Sequence, residues 1–169
     1  MQIRAERSED KNAVYAVNLN AFDSPFEAKL VDKLRDQAQP FVSLVAEVDG
    51  SIVGHIAFSS ATLLEHPDLS LMGLAPVAVL PAHHRQGIGS ALIRAGLEQT
   101  RQLGALAVVV LGHPEYYPRF GFHPASRYGL RCEYEVPDEA FMAIELEPES
   151  LSGKSGLVRY HPAFSQESE

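Results

Sequence analysis

A chain of 169 residues, of which 46% are hydrophobic, has the size and composition of a globular protein, and we expect residues 1–169 to form a single domain. Its formal net charge of −8 argues against a nucleic-acid partner, because the field of an acidic protein repels phosphate backbones. The single cysteine, Cys132, excludes an intramolecular disulfide, and the absence of a long apolar run predicts no membrane partner, so we expect a cytoplasmic protein.

The N-terminal part of the chain predicts a strand followed by two helices. Residues 2–4 predict the opening strand, and Ser8 stands where a helix over residues 8–22 needs its N-terminal cap. Ser24, followed by a proline, marks the start of a second helix in the same way. Apolar residues at helical spacing then continue to residue 37, so the second helix is predicted over residues 24–37.

An Asp49-Gly50 pair separates two predicted strands, residues 42–47 and 51–59. Asp-Gly readily supplies the positive φ angles of a tight hairpin turn, so these strands are expected to pair in antiparallel fashion. His55 lies in the second strand among apolar residues. A packed, hydrogen-bonded histidine is favoured there over a catalytic one.

The middle of the chain predicts a strand, a helix and a second strand. Residues 69–80 form the first strand, and Pro76 within it removes one ladder donor, which marks a bulge or a sheet edge. A helix follows over residues 87–103, and the continuous apolar run at residues 106–111 is typical of a central strand. This crossover makes the two strands parallel and brings the turns after them to one edge of the sheet. Shorter strands are predicted at residues 130–133, 141–146 and 156–160.

The turn that leads into the predicted helix has the features of a phosphate-binding backbone. Gly87 and Gly89 lack a Cβ atom, so a ligand can approach their main chain closely, and the first amides of a helix have no partner within it. Such a helix start attracts anions, and Arg85, with His83 and His84 before it, adds positive charge. The alternative is that the glycines only permit tight packing. Neither a P-loop nor a Rossmann glycine pattern is present, so another phosphorylated ligand is needed.

The run His84-Arg85-Gln86-Gly87-Ile88-Gly89 resembles the acetyl-coenzyme A loop of the GNAT superfamily of N-acetyltransferases, which reads Q/R-x-x-G-x-G/A after a strand. His84 departs from this pattern at its first position. A second block, residues 116–122, resembles the family's Tyr-x-x-x-Gly-Phe element after the next strand. The resemblance implies that acetyl-coenzyme A is the cosubstrate and that it is bound by Val77, Ala78, Val79, His84, Arg85, Gln86, Gly87, Ile88, Gly89 and Ser90.

The resemblance also implies an α+β (mixed α/β) fold, with a mostly antiparallel central sheet, a parallel splayed strand pair and flanking helices. In the family, the strand that here contains Pro76 is bulged and opens a wedge for pantetheine. The two N-terminal helices border the acceptor site. Phe22, Phe26 and Leu30 therefore either line that site or fill the core, and core filling is the favoured prediction.

Acetyl transfer to an amine requires a deprotonated nucleophile and a proton for the leaving thiolate. Tyr117, four residues before a glycine, matches the position of the family's acid, and an unperturbed phenol stays protonated at neutral pH. Tyr116 is the alternative acid, and simple packing is the alternative role of Tyr117. The general base is open between His113 and Glu115, and the run Tyr160-His161-Pro162 near the C-terminus is a further candidate. Deprotonation through water, or binding of an already neutral amine, would make a dedicated base unnecessary.

We therefore expect an N-acetyltransferase that moves the acetyl group of acetyl-coenzyme A directly to a primary amine of a small molecule, without a metal. Two alternatives remain at this stage. One is a protein acetyltransferase acting on N-termini or lysines, and the other is a non-catalytic acyl-coenzyme A sensor. The oligomeric state is open, with a homodimer among the alternatives.

Overall fold

The structure is a computed structural model that describes residues 1–165. Its strands are β1 (Gln2–Ala5), β2 (Phe41–Val48), β3 (Ser51–Leu63), β4 (Leu71–Val79), β5 (Ala107–Leu111), β6 (His123–Pro124), β7 (Leu130–Cys132), β8 (Phe141–Glu145) and β9 (Gly156–Arg159). Its α-helices are α1 (Lys11–Ala21), α2 (Phe26–Gln37) and α3 (Ile88–Gln102). The strands form one sheet in the order β1-β2-β3-β4-β5-β8-β6, while β9 pairs with β3 and β7.

The pairing confirms the predicted mixed, mostly antiparallel sheet. Strands β4 and β5 are parallel, as are β7 and β9, and the other pairs are antiparallel. The Asp49-Gly50 hairpin is confirmed, with φ angles of 50° and 80°. Strand β3 continues four residues beyond its predicted end, because Ser60 and Ala61 still pair with β4 and Thr62 and Leu63 pair with β9.

The start of the first helix differs from the prediction, whereas the start of the second agrees with it. Residues Ser8–Asp10 form a 3₁₀ turn and α1 begins after them, so Ser8 is not its cap. The buried carboxylate of Asp10 instead accepts a hydrogen bond from the Arg7 amide at 2.7 Å and pairs with Arg4 at 2.7 Å. At α2, the Phe26 amide donates to the Ser24 hydroxyl at 3.2 Å, as the cap prediction requires.

Alternate residues of the central strands enter two different hydrophobic clusters. Met72 and Leu74 of β4 pack in the cluster that contains α3, whereas Leu71 packs in the cluster that contains β9. Because side chains alternate across a strand, this division shows that both faces of the sheet centre are covered. Helix α3 lies very close to the sheet, since a side chain at Gly96 would overlap with the ring of Phe58.

Strands β4 and β5 separate halfway along β4. Their parallel pairing runs from Leu71 and Ala107 to Leu74 and Val110 and then stops. On the other side of β4, the register with β3 shifts between Ile56 and Phe58, so two residues of β4 lie opposite one residue of β3. Pro76 is one of those two, which confirms the predicted bulge. The alternative of an edge strand is wrong, because β4 lies between β3 and β5.

His55 is a packed structural residue, as predicted. Its side chain is fully buried, with Nδ1 at 3.1 Å from Asn18 Nδ2 and Nε2 at 2.8 Å from Ser43 Oγ. Burial away from water, with a smaller contribution from the positive charge of Arg35, lowers the pKa of His55 to about 3. The imidazole is therefore neutral in the folded protein at neutral pH.

Candidate active site

A cleft of about 880 Å³ opens where β4 and β5 separate. One wall is the end of β4 together with the loop before α3, which we call the glycine loop (residues 80–89). A second wall is the turn after β5, residues 111–119. The third wall comes from Phe22, which directly follows α1, from α2 and from a 3₁₀ turn near the C-terminus, Pro162–Ser165. The turns after β4 and β5 therefore meet at one edge of the sheet, as predicted. Residues from the N-terminal helical region line the same cleft.

The glycine loop presents main-chain groups to this cleft. Arg85 and Gly87 both have left-handed backbone angles, with φ of 62° and 79°. Gly87 is the N-terminal cap residue of α3, and no side chain there accepts a hydrogen bond from the first amides of the helix. Uncapped helix amides and a left-handed turn form the kind of backbone concavity that binds anions. The structure thus gives the loop the shape that the sequence predicted.

Most of the predicted coenzyme-binding residues line the cleft. Those that do are Val77, Val79, His84, Arg85, Gly87, Ile88, Gly89 and Ser90. Ala78 and Gln86 are not part of the lining; Gln86 is exposed, and the Ala78 side chain is buried. Both predicted catalytic residues, His113 and Tyr117, line the cleft as well.

The pleat of β4 explains the difference between Ala78 and its neighbours. The Leu80 amide donates to the Val53 carbonyl at 2.9 Å, so Leu80 turns its backbone groups toward β3. Every second residue of an antiparallel strand bonds to the same neighbour, and Ala78 therefore also faces β3. Val77 and Val79 face the opposite side, where β5 has moved away. The main-chain groups of Val77 and the amide of Val79 are therefore available to an extended ligand lying along β4.

His84, the residue that departs from the family motif, connects the glycine loop to β4. Its Nε2 atom lies 2.9 Å from the carbonyl oxygen of Val79. A carbonyl oxygen only accepts hydrogen bonds, so Nε2 carries the proton and is the donor. The imidazole thereby holds the exposed loop against the strand end that borders the cleft.

The two adjacent tyrosines have different surroundings. Tyr116 places its hydroxyl 3.3 Å from Ser90 Oγ at the start of α3, and the guanidinium of Arg119 lies 4.9 Å from its ring centre. The buried ring of Tyr117 packs edge-on against Phe122 at 5.7 Å. Within residues 1–165, no hydrogen bond is made to the Tyr117 hydroxyl. The Tyr116 hydroxyl is thus hydrogen-bonded to the start of α3, whereas the Tyr117 hydroxyl has no partner in the described part of the chain.

Burial sets the protonation of Tyr117 and a glycine sets its position. Desolvation, followed by the neighbouring Tyr116, raises the pKa of Tyr117 to about 12, so its hydroxyl keeps its proton at neutral pH. A side chain at Gly112 would overlap with the Tyr117 ring, which identifies Gly112 as the residue that lets the ring lie against the end of β5. This role of Gly112 was not predicted, although a glycine directly after a central strand is a signal for it.

Of the general-base candidates, the cleft contains His113. Glu115 is exposed and does not contribute to the lining. His161 is also outside the lining, and its Nδ1 accepts a hydrogen bond from the Ala163 amide at 3.0 Å. The side chain of Tyr160, next to it, is buried against Gly73 of β4.

The third wall of the cleft contains residues that were predicted to fill the core or were not singled out from the sequence. Phe22 is half-buried and lines the cleft, so the favoured core-filling prediction is wrong for it. Phe26 lines the cleft and also packs against a hydrophobic cluster. Leu30 lines the cleft and is also 1% exposed, so it serves both purposes. Phe164 and Glu27 were missed. Phe164 lies far away in the sequence, and Glu27 has the pattern of an ordinary solvated helix position.

Across residues 1–165, no three His, Cys, Asp or Glu side chains lie where they could hold a metal ion together. The helices of this part of the chain also lack the length and apolar character needed to cross a membrane. Cys132 is partly buried outside the cleft lining, and burial raises the pKa of its thiol.

Comparisons with known proteins agree with this geometry. The model of the acetyltransferase (GNAT) family matches residues 11–122. An uncharacterized N-acetyltransferase of Escherichia coli, YhbS, is 38% identical over 167 residues, which cover 98% of this chain and 99% of that protein. A second E. coli protein, the uncharacterized N-acetyltransferase YjhQ, is 39% identical over 153 residues, covering 85% and 84% of the two chains.

Solved structures agree with these sequence relationships. The crystal structure of E. coli YhbS in complex with CoA superimposes with a TM-score of 0.91 at 37% identity, covering 97% of this chain and 91% of that one. A GNAT family acetyltransferase from Brucella melitensis in complex with acetyl-CoA gives a TM-score of 0.79, also at 37% identity, with coverage of 96% and 97%. The chain belongs to the GNAT family and is an acetyl-CoA-dependent N-acetyltransferase.

Proposed function

We propose that this enzyme transfers the acetyl group of acetyl-CoA directly to the primary amine of a small molecule. One observation carries the proposal. The glycine loop and Tyr117, whose hydroxyl has no partner in the described part of the chain, line the same cleft. Because the amine and the thioester meet in one cleft, the reaction needs no covalent intermediate on the enzyme.

The glycine loop and β4 hold the cosubstrate in this proposal. The pyrophosphate accepts hydrogen bonds from the uncapped amides at the start of α3, and Arg85 supplies positive charge beside them. The pantetheine arm extends β4 by bonding to the backbone groups of Val77 and Val79, in the manner of an added strand. The thioester then lies where β4 and β5 have separated.

The chemistry requires protons to move at two places. His113 accepts a proton from the bound ammonium group, and the neutral nitrogen attacks the thioester carbonyl carbon. The new C–N bond forms and the C–S bond breaks. The leaving thiolate takes the Tyr117 proton, and Tyr117 regains a proton from the nitrogen as the amide forms. His113 then releases the ammonium proton to water, so both residues return to their starting states. With its pKa raised to about 12, Tyr117 is protonated at the start of each turnover and readily recovers its proton.

The acceptor end of the cleft favours a small substrate. Phe22, Phe26 and Phe164 give it an apolar wall, and the net charge of −8 attracts cations toward the protein. A peptide substrate would need an extended backbone-binding surface in addition to this wall.

The proposal is tested by measuring thiol release from acetyl-CoA with a panel of small amines and a panel of lysine-containing and free N-terminal peptides. We expect thiol release with small amines, accompanied by N-acetylated products in the mass spectrum. Turnover with peptides alone would identify a protein acetyltransferase instead. Tight acetyl-CoA binding without turnover on either panel would identify a sensor.

A further inference from the structure

Glu27 is placed unusually for a carboxylate in the first turn of a helix. Its Oε1 atom is buried, and within residues 1–165 nothing hydrogen-bonds to that atom. The residue lines the cleft, and it is the only acidic side chain among the described residues that do so. A buried carboxylate oxygen without a partner costs free energy, because it has lost water and gained nothing in exchange. Such an atom in a ligand cleft indicates that the ligand supplies the missing donor.

The surroundings of Glu27 define the kind of donor. Phe22, Phe26 and Leu30 line the same wall, and Phe164 packs with Phe26 in one hydrophobic cluster beside it. The cleft-lining arginines, Arg85 and Arg119, belong to other walls, and neither forms an ion pair with Glu27 in the described part of the chain. A carboxylate surrounded by aromatic and aliphatic side chains matches a cation that carries an apolar group.

We infer that Glu27 binds the ammonium group of the acceptor, and that the acceptors are primary alkylamines and arylalkylamines without a carboxylate beside the amine. This inference rests on the proposed function, because it names the acceptor of the same cleft. Phe22, Phe26 and Phe164 contact the apolar substituent, and the Glu27 carboxylate accepts hydrogen bonds from the ammonium. An amino acid is rejected because its own carboxylate meets that of Glu27.

The test compares amines with alcohols of the same shape. With CoA present, so that no acetyl transfer occurs, calorimetry measures the dissociation constants of 2-phenylethylamine and hexylamine and of the corresponding alcohols. We expect each amine to bind at least about tenfold more tightly than its alcohol, since a hydrogen bond to a charged partner has that magnitude. Phenylalanine should bind more weakly than 2-phenylethylamine by a similar factor.

Two variants of α2 separate a specific contact from general charge. Glu27→Gln keeps the size of the side chain and should abolish the preference for amines. Asp36→Asn removes the same charge from an exposed position of the same helix and should preserve it. The inference would be overturned if Glu27→Gln kept the preference for amines, if the unmodified enzyme showed no such preference, or if neither amine bound measurably. Tight amine binding without acetyl transfer would instead contradict the proposed function while leaving the Glu27 subsite intact.

Discussion

In the proposed assignment, the coenzyme end of the cleft is formed by main-chain groups from one continuous stretch of chain, whereas the acceptor end is formed by side chains from two segments far apart in the sequence, residues 22–30 and 162–165. The glycine loop depends on left-handed angles at Arg85 and Gly87 and on a helix start without a cap. In the proposed assignment, the acceptor end depends on the side chains of Phe26, Glu27 and Phe164, which line the cleft. Backbone recognition can therefore be shared widely within a family, while side-chain recognition can change with each substitution.

The largest effect is expected where a side chain fills the backbone site. A Cβ atom at Gly89 would make ordinary contacts, at 3.4 Å from the Tyr116 hydroxyl and 3.9 Å from Val79, so the fold tolerates it. In Gly89→Val the added methyl groups occupy space at the helix start that the pyrophosphate needs. Overpacking of this kind costs up to about 3 kcal/mol, so calorimetric CoA affinity should fall by as much as about a hundredfold.

The matched control places the same residue elsewhere in α3. Ala91→Val introduces the same branched side chain outside the cleft lining and should keep normal CoA affinity. If Gly89→Val also binds CoA normally, the pyrophosphate is not held by these amides.

The next largest effect separates the two tyrosines at the point where the ends of the cleft meet. Loss of a general acid lowers turnover by about a hundredfold or more, so Tyr117→Phe should reduce kcat by that factor with little change in CoA affinity. Tyr116→Phe removes a hydroxyl that bonds to Ser90 and should reduce kcat much less. The reverse order of effects in steady-state kinetics would make Tyr116 the acid. Full activity in both variants would mean that the thiolate takes its proton from water or the acceptor.

A smaller effect, on stability, is expected from His55, which links the elements on both sides of the cleft. His55 on β3 contacts Asn18 of α1 and pairs with Ala78 of β4, so it joins the acceptor wall to the coenzyme strand. Its pKa is lowered to about 3 in the folded protein, so the unfolded chain takes up the proton first as the pH falls below about 6.5. The contribution of His55 to the free energy of unfolding is thus fully present above pH 6.5 and decreases as the pH falls toward 3. By pH 5 the loss is about 2 kcal/mol.

Thermal denaturation at pH 7.5 and pH 5 measures this loss. His55→Gln should be less stable at pH 7.5 but should show a smaller further loss at pH 5. The exposed His123→Gln should follow the unmodified protein at both pH values. An equal acid sensitivity in all three proteins would show that His55 does not take part.

The smallest effect tests whether one side chain supports the backbone site. His84→Ala removes the hydrogen bond to the Val79 carbonyl, and a bond of this kind contributes about 1 kcal/mol, so CoA affinity should fall roughly fivefold. His84→Gln keeps a side-chain N–H donor and should restore most of that affinity. Equal loss in both variants, measured by calorimetry, would show that the imidazole contacts the cosubstrate itself.

The same contrast explains how much could be predicted from the sequence. The glycine loop was predictable because its glycines, its arginine and the preceding strand are neighbours in the chain, and the bulge was marked by Pro76. The strand at His123–Pro124 was not predicted, because two residues carry no periodicity and are defined only by their pairing with β8. Nothing in the local sequence distinguishes Glu27 from helix positions that face solvent. The role proposed for it depends on the packing of α2 beside Phe164.

The most direct test of two ends serving two substrates is a crystal structure of the enzyme with CoA and 2-phenylethylamine bound together. We expect the pyrophosphate within hydrogen-bonding distance of the amides of Gly87 to Ser90, the sulfur atom next to the Tyr117 hydroxyl, and the ammonium nitrogen at the Glu27 carboxylate. A pyrophosphate bound away from the glycine loop, or an amine bound away from the wall formed by α1 and α2, would contradict the assignment of the two ends.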